Sequence, residues 1–359
     1  MKKSRAIEFW RFMFTMYVVM AHAWLCTSLM QGDYIFSSAG YSVEFFFLLS
    51  GFLLAYSCQN KPCDADPAKS AVRFTWKRFL QFAPMYYLTL VLTVAYRCRL
   101  LRLSGQTSVQ ISAYVKSLWR ELFMLNGVLY YDNQGNIVSW YLSVLVFMGF
   151  FVYLLVSAII KYKVPKVIPL AGVGLLLCAF YYSGACNWAL ISYNTRGTGC
   201  LLLGTALYFV FERIKNIPIN RAWMFILAVI EGISIVAMLS IVPFRPIDRY
   251  TPLVLIPFGC VIIFSFWDIT PITHLLNNKF AGWLGKISMG IYMGQMVVLL
   301  KFGWNAPFDL SQAPVKSYTL IAIYTIAFGV VLTMIIAAFR YVYNRSFKQK
   351  IETKTTVSS

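Results

Sequence analysis

Stretches of roughly 18 or more apolar residues recur from one end of this 359-residue chain to the other. Each is long enough to cross the ~30 Å hydrocarbon core of a bilayer as a helix. They predict an all-α, polytopic membrane bundle. Ten spans are expected near 7–29, 38–57, 79–96, 138–160, 166–184, 197–212, 222–242, 250–267, 282–302 and 317–339. Charged residues make up 13% of the chain, against about 25% in a soluble domain. The N-terminal MKKSRAIEFWRFMFTMYVVMAHA imitates a secretion signal, but Arg11 interrupts it and Trp24, Leu25 and Cys26 prolong it. It reads as an uncleaved first span.

The net charge of +19 would suggest nucleic acid in a soluble protein. Here the basic residues sit in short connections, where they fix topology and face anionic headgroups, so no nucleic-acid partner is expected. With the N-terminus inside, 22 of the 32 Lys and Arg fall on the cytoplasmic side, which places both termini there. One connection dissents. Residues 97–137 carry Arg97, Arg99, Arg102, Lys116 and Arg120 yet fall outside. Their stretch 107–125 is amphipathic and suits a membrane surface. Residues 1–345 read as one membrane domain and 346–359 as a short disordered cytoplasmic tail. The Cys58-x4-Cys63 pair lacks a histidine or a second pair, so no metal is expected. His274, in PITHLLNN, reads as a surface residue.

Two ionisable residues share the first span. Eleven residues separate Arg11 from His22, within ~20° of a whole number of helical turns. The side chains lie on one face, about 16 Å apart along the axis, with Thr15 between them. Ionisable groups at such depth are costly and normally face a bundle interior or a wet cavity. Arg11 snorkelling to headgroups and His22 in an interhelical hydrogen bond are the plainer readings. The functional one is a cavity leading from the cytoplasm to a reactive histidine. In the second span Glu44 would come to nearly the depth of His22, where a carboxylate could fix the imidazole as a general base. A pair between Glu44 and Arg196 is the alternative. Ser50-Gly51 suits close helix packing.

The remaining polar residues sort by depth. Ser139, Trp140, Asn194, Arg196 and Glu44 lie outward and suit a sugar or other polyol. Arg11, Arg73, Lys77, Arg78, Gln81 and Lys286 lie inward and suit a phosphate-rich ligand. Trp140 as an interfacial anchor and topology-setting arginines explain the same pattern without a ligand.

Arg11 and His22, followed by VEFFFLLSGFLL in the second span, resemble the bacterial membrane acyltransferase family 3, the O-acyltransferases of extracytoplasmic polysaccharides. KRFLQFAPMY (77–86), SWYL (139–142) and GKISMGIY (285–292) resemble later motifs of the family, in the right order. Gln81, Gln295 and the apolar Val144, Leu145 and Val146 depart from it. The resemblance implies a plasma-membrane enzyme moving an acyl group, acetyl most often, from cytoplasmic acyl-coenzyme A to a hydroxyl of an envelope glycan or glycolipid. The coenzyme would be a co-substrate, with no permanently bound cofactor. His22, with Glu44, would be catalytic. Arg11, Arg73 and Arg78 would hold coenzyme phosphates, and Ser139, Trp140, Arg196, Ser288 and Tyr292 would meet substrate. A non-enzymatic flippase of a glycan intermediate is the alternative, and a structural subunit of an envelope complex a third. With neutral His22 as base, activity should fall as pH drops through its effective pKa.

Overall fold

Backbone polar groups in oil must be paired within the chain, and helices do this segment by segment. The computed structural model describes residues 4–23, 36, 39–60, 66–129, 135–185, 189–244, 251–304 and 314–357. Among them the regular structure is helical, with no strand. In chain order the helices are α1 (Arg5–Ala21), α2 (Ser42–Asn60), α3 (Pro67–Leu103), α4 (Ser108–Ser117), α5 (Trp119–Leu122), α6 (Trp140–Lys161), α7 (Val167–Tyr182), α8 (Ala189–Ile214), α9 (Arg221–Phe244), α10 (Leu255–Trp267), α11 (Pro271–Leu276), α12 (Lys279–Trp304) and α13 (Pro314–Val357).

Among the described residues, seven helical segments are long and apolar enough to cross a membrane, and α7 and Pro252–Trp267 are shorter apolar helices. This is a multi-pass membrane protein. The first expected span is shorter than its apolar stretch. α1 ends at Ala21 with His22 as its cap, and residues 24–35 lie outside the described residues. α13 is described as far as Val357, through most of the tail for which no fixed structure was expected.

Side-chain caps set the helix starts. Ser4 accepts from the Ile7 amide at 3.3 Å and donates to the Ser265 carbonyl, tying α1 to α10. Asp66 accepts from Ala68 ahead of Pro67, whose missing N–H costs nothing at a first turn. In α9 the buried carboxylate of Glu231 accepts from Thr270 and, at 2.7 Å, from Thr273. It thereby fixes the connection to α11.

Close packing uses small residues, because lipid tails offer no hydrophobic drive between helices. A Cβ on Gly51 would stand 2.0 Å from the Leu201 carbonyl oxygen, and one on Gly204 1.9 Å from that of Leu48. α2 and α8 therefore touch backbone to backbone. Gly290 and Gly329 do the same for α12 and α13. α9 leaves Phe225 and Ile233 uncovered and α13 leaves Met334, the surface a bilayer covers.

α1 and α12 run side by side in the same direction. Arg5 meets Gly282, Glu8 meets Gly285, and His22 meets Gln295. That pairing, with α2, α3 and α6 closing round it, positions the candidate site.

Candidate active site

The face of α1 that bears Arg11 and Thr15 opens on a cavity of about 340 Å³. α2 contributes Phe46, Leu49, Ser50 and Leu53 to its wall. α3 contributes Arg78, Gln81 and Phe82, α6 contributes Tyr141, Leu142 and Leu145, and α12 contributes Ser288, Met289 and Tyr292. Arg11 donates to Glu8 Oε2 at 2.7 Å, one turn away. A pair in this geometry holds the guanidinium against the cavity without sealing it, and the Arg11 side chain stays 35% exposed. Glu8 was not singled out in the sequence, although E8-x-x-R11 has the spacing of neighbours on a helix.

A second recess of about 570 Å³ shares Arg78 and Gln81 with the first and adds Ser57, Phe74, Lys77, Leu80 and Arg340. Arg340 arrives from α13 and donates to the Gln81 carbonyl at 2.8 Å. Some 259 positions separate the two residues, so no local pattern could have joined them. Arg73 is exposed and stands apart from both linings.

Three rings close the end of the cavity away from Ser4. Phe46, Tyr141 and Tyr292 lie 5.8–6.1 Å apart, centroid to centroid. Hydroxyls fix two of them. Tyr141 meets Ser50 Oγ at 3.3 Å, and Tyr292 donates to the Val138 carbonyl at 3.1 Å. Ser288 is turned back on its own helix, donating to the Gly285 carbonyl at 2.9 Å. Ser50 thus faces the cavity while its neighbour Gly51 makes the α2–α8 contact.

His22 stands beyond these rings, about 10 Å past Thr15 along α1, and is absent from the cavity wall. Its Nδ1 lies 2.9 Å from the Val18 carbonyl and 3.3 Å from Gln295 Oε1. Gln295 is fully buried, and its Nε2 donates to the Tyr292 carbonyl at 2.8 Å, which orients its oxygen toward the imidazole. Both partners of Nδ1 are acceptors, so the ring hydrogen belongs on Nδ1. In the neutral tautomer the lone pair sits on Nε2.

The expected meeting of Glu44 with His22 does not occur. Glu44 accepts from Arg196 Nε at 2.5 Å and Nη2 at 2.7 Å, and from the Tyr182 hydroxyl. Arg196 also donates to the Gly40 carbonyl at 3.0 Å, and its guanidinium lies over the rings of Trp140 and Tyr181. Both residues are buried, and buried charges must be paired or else bear a large desolvation cost. The arginine satisfies that need from both sides, and Gln295 takes the place by the histidine. The pair of Glu44 with Arg196, the alternative the sequence offered, is thus the one formed, and it turns the Arg196 donors inward to protein. Ser139 is buried and accepts from Asn126 at 3.3 Å, and Trp140 packs on Tyr193 at 4.5 Å. The outward set is thus a packed cluster, whereas Arg11, Arg78, Ser288 and Tyr292 share the cavity. His274 is exposed, 3.2 Å from Asp268 on the short α11.

Residues 4–339 match the sequence model of a family described as an acyltransferase domain, the acyltransferase 3 family. The chain belongs to this family. The match spans nearly every element described above, so the cavity, the histidine and the paired cluster are all parts of one membrane acyltransferase domain. A comparison with curated proteins gives no match, and neither does one with solved structures.

Proposed function

We propose that this membrane acyltransferase moves an acyl group, acetyl first among the candidates, from cytoplasmic acyl-coenzyme A to a hydroxyl of an envelope polysaccharide or glycolipid. The observation that carries this is the course of α1, which lines the cavity with Arg11 and Thr15 and carries His22 past the aromatic rings at its end, about 16 Å beyond Arg11. Arg11, Arg78, Lys77 and Arg340 gather at the end nearer Ser4 and suit phosphates, which guanidinium groups bind in a fixed fork. The apolar wall of Leu49, Leu53 and Leu145 suits an extended thioester arm directed toward the aromatic rings.

Nε2 of His22 serves as general base. It takes the acceptor's hydroxyl proton as that oxygen attacks the thioester carbonyl. The C–S bond breaks, and the proton passes on to the departing thiolate. In the two-step form Nε2 attacks the carbonyl and the thiolate leaves; the acceptor hydroxyl then opens the acyl-imidazolium, its proton goes to the thiolate, and Nε2 regains its lone pair. Gln295 and the Val18 carbonyl keep Nδ1 protonated in the resting ring, so the reacting nitrogen is defined in advance. A thioester needs modest activation, so a positioned base and exclusion of water suffice.

Mass spectrometry of envelope glycans from cells with and without the protein tests the reading. An added acyl group that appears only with the protein, and disappears with His22→Ala at equal protein level, is the expected result. Identical glycans in all three would reject it.

A further inference from the structure

We infer that the second recess seats the 3′-phosphate of coenzyme A, and that Arg340 makes the protein discriminate the coenzyme from its 3′-dephospho form. This rests on the acyl-coenzyme A reading above and goes beyond it by naming which phosphate goes where. The diphosphate of coenzyme A is in line with the thioester arm, whereas the phosphomonoester stands on a branch, at the ribose. The protein forks in the same way. One neighbouring recess shares Tyr56 and Phe266 with the main cavity and is bordered by Glu212, which pairs with Lys215 at 2.8 Å. It meets a phosphate with a carboxylate. The second recess instead shares Arg78 and Gln81 with the cavity, and its wall adds Lys77 and Arg340. Among the described residues that wall holds no carboxylate. A phosphomonoester is close to doubly charged at neutral pH, so it belongs in the basic branch.

The guanidinium groups of this branch are oriented by the protein itself. Arg340 donates from Nη2 to the Gln81 carbonyl at 2.8 Å, beside the turn of α3 from which Pro84 removes a ladder N–H. That bond takes one of several N–H groups and sets the direction of the planar fork. Arg78 lies over the Phe74 ring at 5.3 Å, and Phe74 stacks on Tyr153 at 4.3 Å. A neutral donor completes the set. Ser57 Oγ, from α2, is buried in the wall of the recess and has no hydrogen-bond partner. Buried hydroxyls are normally paired, and a phosphate oxygen seated here supplies the missing acceptor. A lipid phosphate shares this chemistry, and Leu80 of α3 and Phe339 of α13 present apolar surface beside the recess. Continuity favours the coenzyme. Arg78 and Gln81 line both the recess and the cavity that takes the thioester arm, so one ligand reaches from one to the other. Arg340 belongs to the recess alone, which makes it the residue that reads the branch rather than the line of the ligand.

Equilibrium binding of coenzyme A and of 3′-dephospho-coenzyme A to the full-length protein in phosphatidylcholine nanodiscs tests this. The wild type should bind coenzyme A about tenfold or more tightly than the dephospho form, the effect of a charge-assisted hydrogen bond. Arg340→Gln should weaken coenzyme A to the level of the dephospho form and leave the Kd of the latter unchanged. Arg340→Lys, which keeps the charge without the fork, should recover part of the preference. A wild-type protein that binds both compounds equally would overturn this inference alone. So would an Arg340→Gln protein that weakens both equally and keeps the preference. Loss of the wild-type preference when phosphatidylglycerol is added to the discs would mark the recess as a seat for lipid phosphate and would also overturn it. Binding of neither compound would reject the acyl-coenzyme A reading, and this inference with it.

Discussion

His22 and Gln295 are joined by a hydrogen bond of 3.3 Å between Nδ1 and Oε1 across the α1–α12 contact. The amide is buried and held by Tyr292, so it acts as a fixed acceptor. Gln295→Ala should lower kcat about tenfold, since one such hydrogen bond contributes about 1.4 kcal/mol. KM for the acyl donor should stay near its original value. Steady-state kinetics with saturating acceptor distinguishes this from a folding defect, which would lower active enzyme without changing its pH profile.

Glu44 and Arg196 form a two-pronged buried pair. Removing one partner leaves a charge with no counterpart, which costs about 3–5 kcal/mol. Glu44→Gln and Arg196→Gln should each lower the thermal midpoint in detergent sharply. Glu44→Gln/Arg196→Met should lose less than the two single changes added together. Strictly additive losses would show that the pair is not the unit of stability.

Arg78 and Arg73 stand less than two turns apart on α3, yet only Arg78 lines the cavity. Arg78→Gln should raise the Kd for coenzyme A about tenfold or more, the effect of a charged hydrogen bond worth ~1.5–3 kcal/mol. Arg73→Gln should leave it unchanged. Isothermal titration of both variants makes the comparison, and equal effects would argue for a diffuse basic surface.

Gly204 abuts the Leu48 carbonyl, whereas a Cβ on Gly149 meets nothing within 4 Å. Gly204→Ala should destabilise the protein by about 1–3 kcal/mol through overpacking. Gly149→Ala should be neutral or mildly stabilising, because alanine is the better helix former. Thermal unfolding followed by fluorescence checks both.

Apolar runs announced the helices because every span must satisfy its backbone internally, and this shows in the residues themselves. Helix ends were less legible. The run through Trp24 and Cys26 hid the end of α1 at His22, since hydropathy alone does not mark a cap. The 11-residue spacing of Arg11 and His22 placed both on one face, and Arg11 indeed lines the cavity. Depth alone could not decide the partner of Glu44. Two helices brought His22 and Arg196 within its possible reach, and rotation about the α2 axis chose between them. Arg340 and Gln81 meet only through the packing of α13 on α3, which no spacing records.

Single-turnover transfer from radiolabelled acetyl-coenzyme A to extracted envelope glycan, by purified protein in proteoliposomes, tests the central claim most directly when coenzyme A binding is measured on the same samples. His22→Ala should bind coenzyme A with unchanged affinity and transfer at least ~10²-fold more slowly. Transfer at the wild-type rate by the variant would contradict the account.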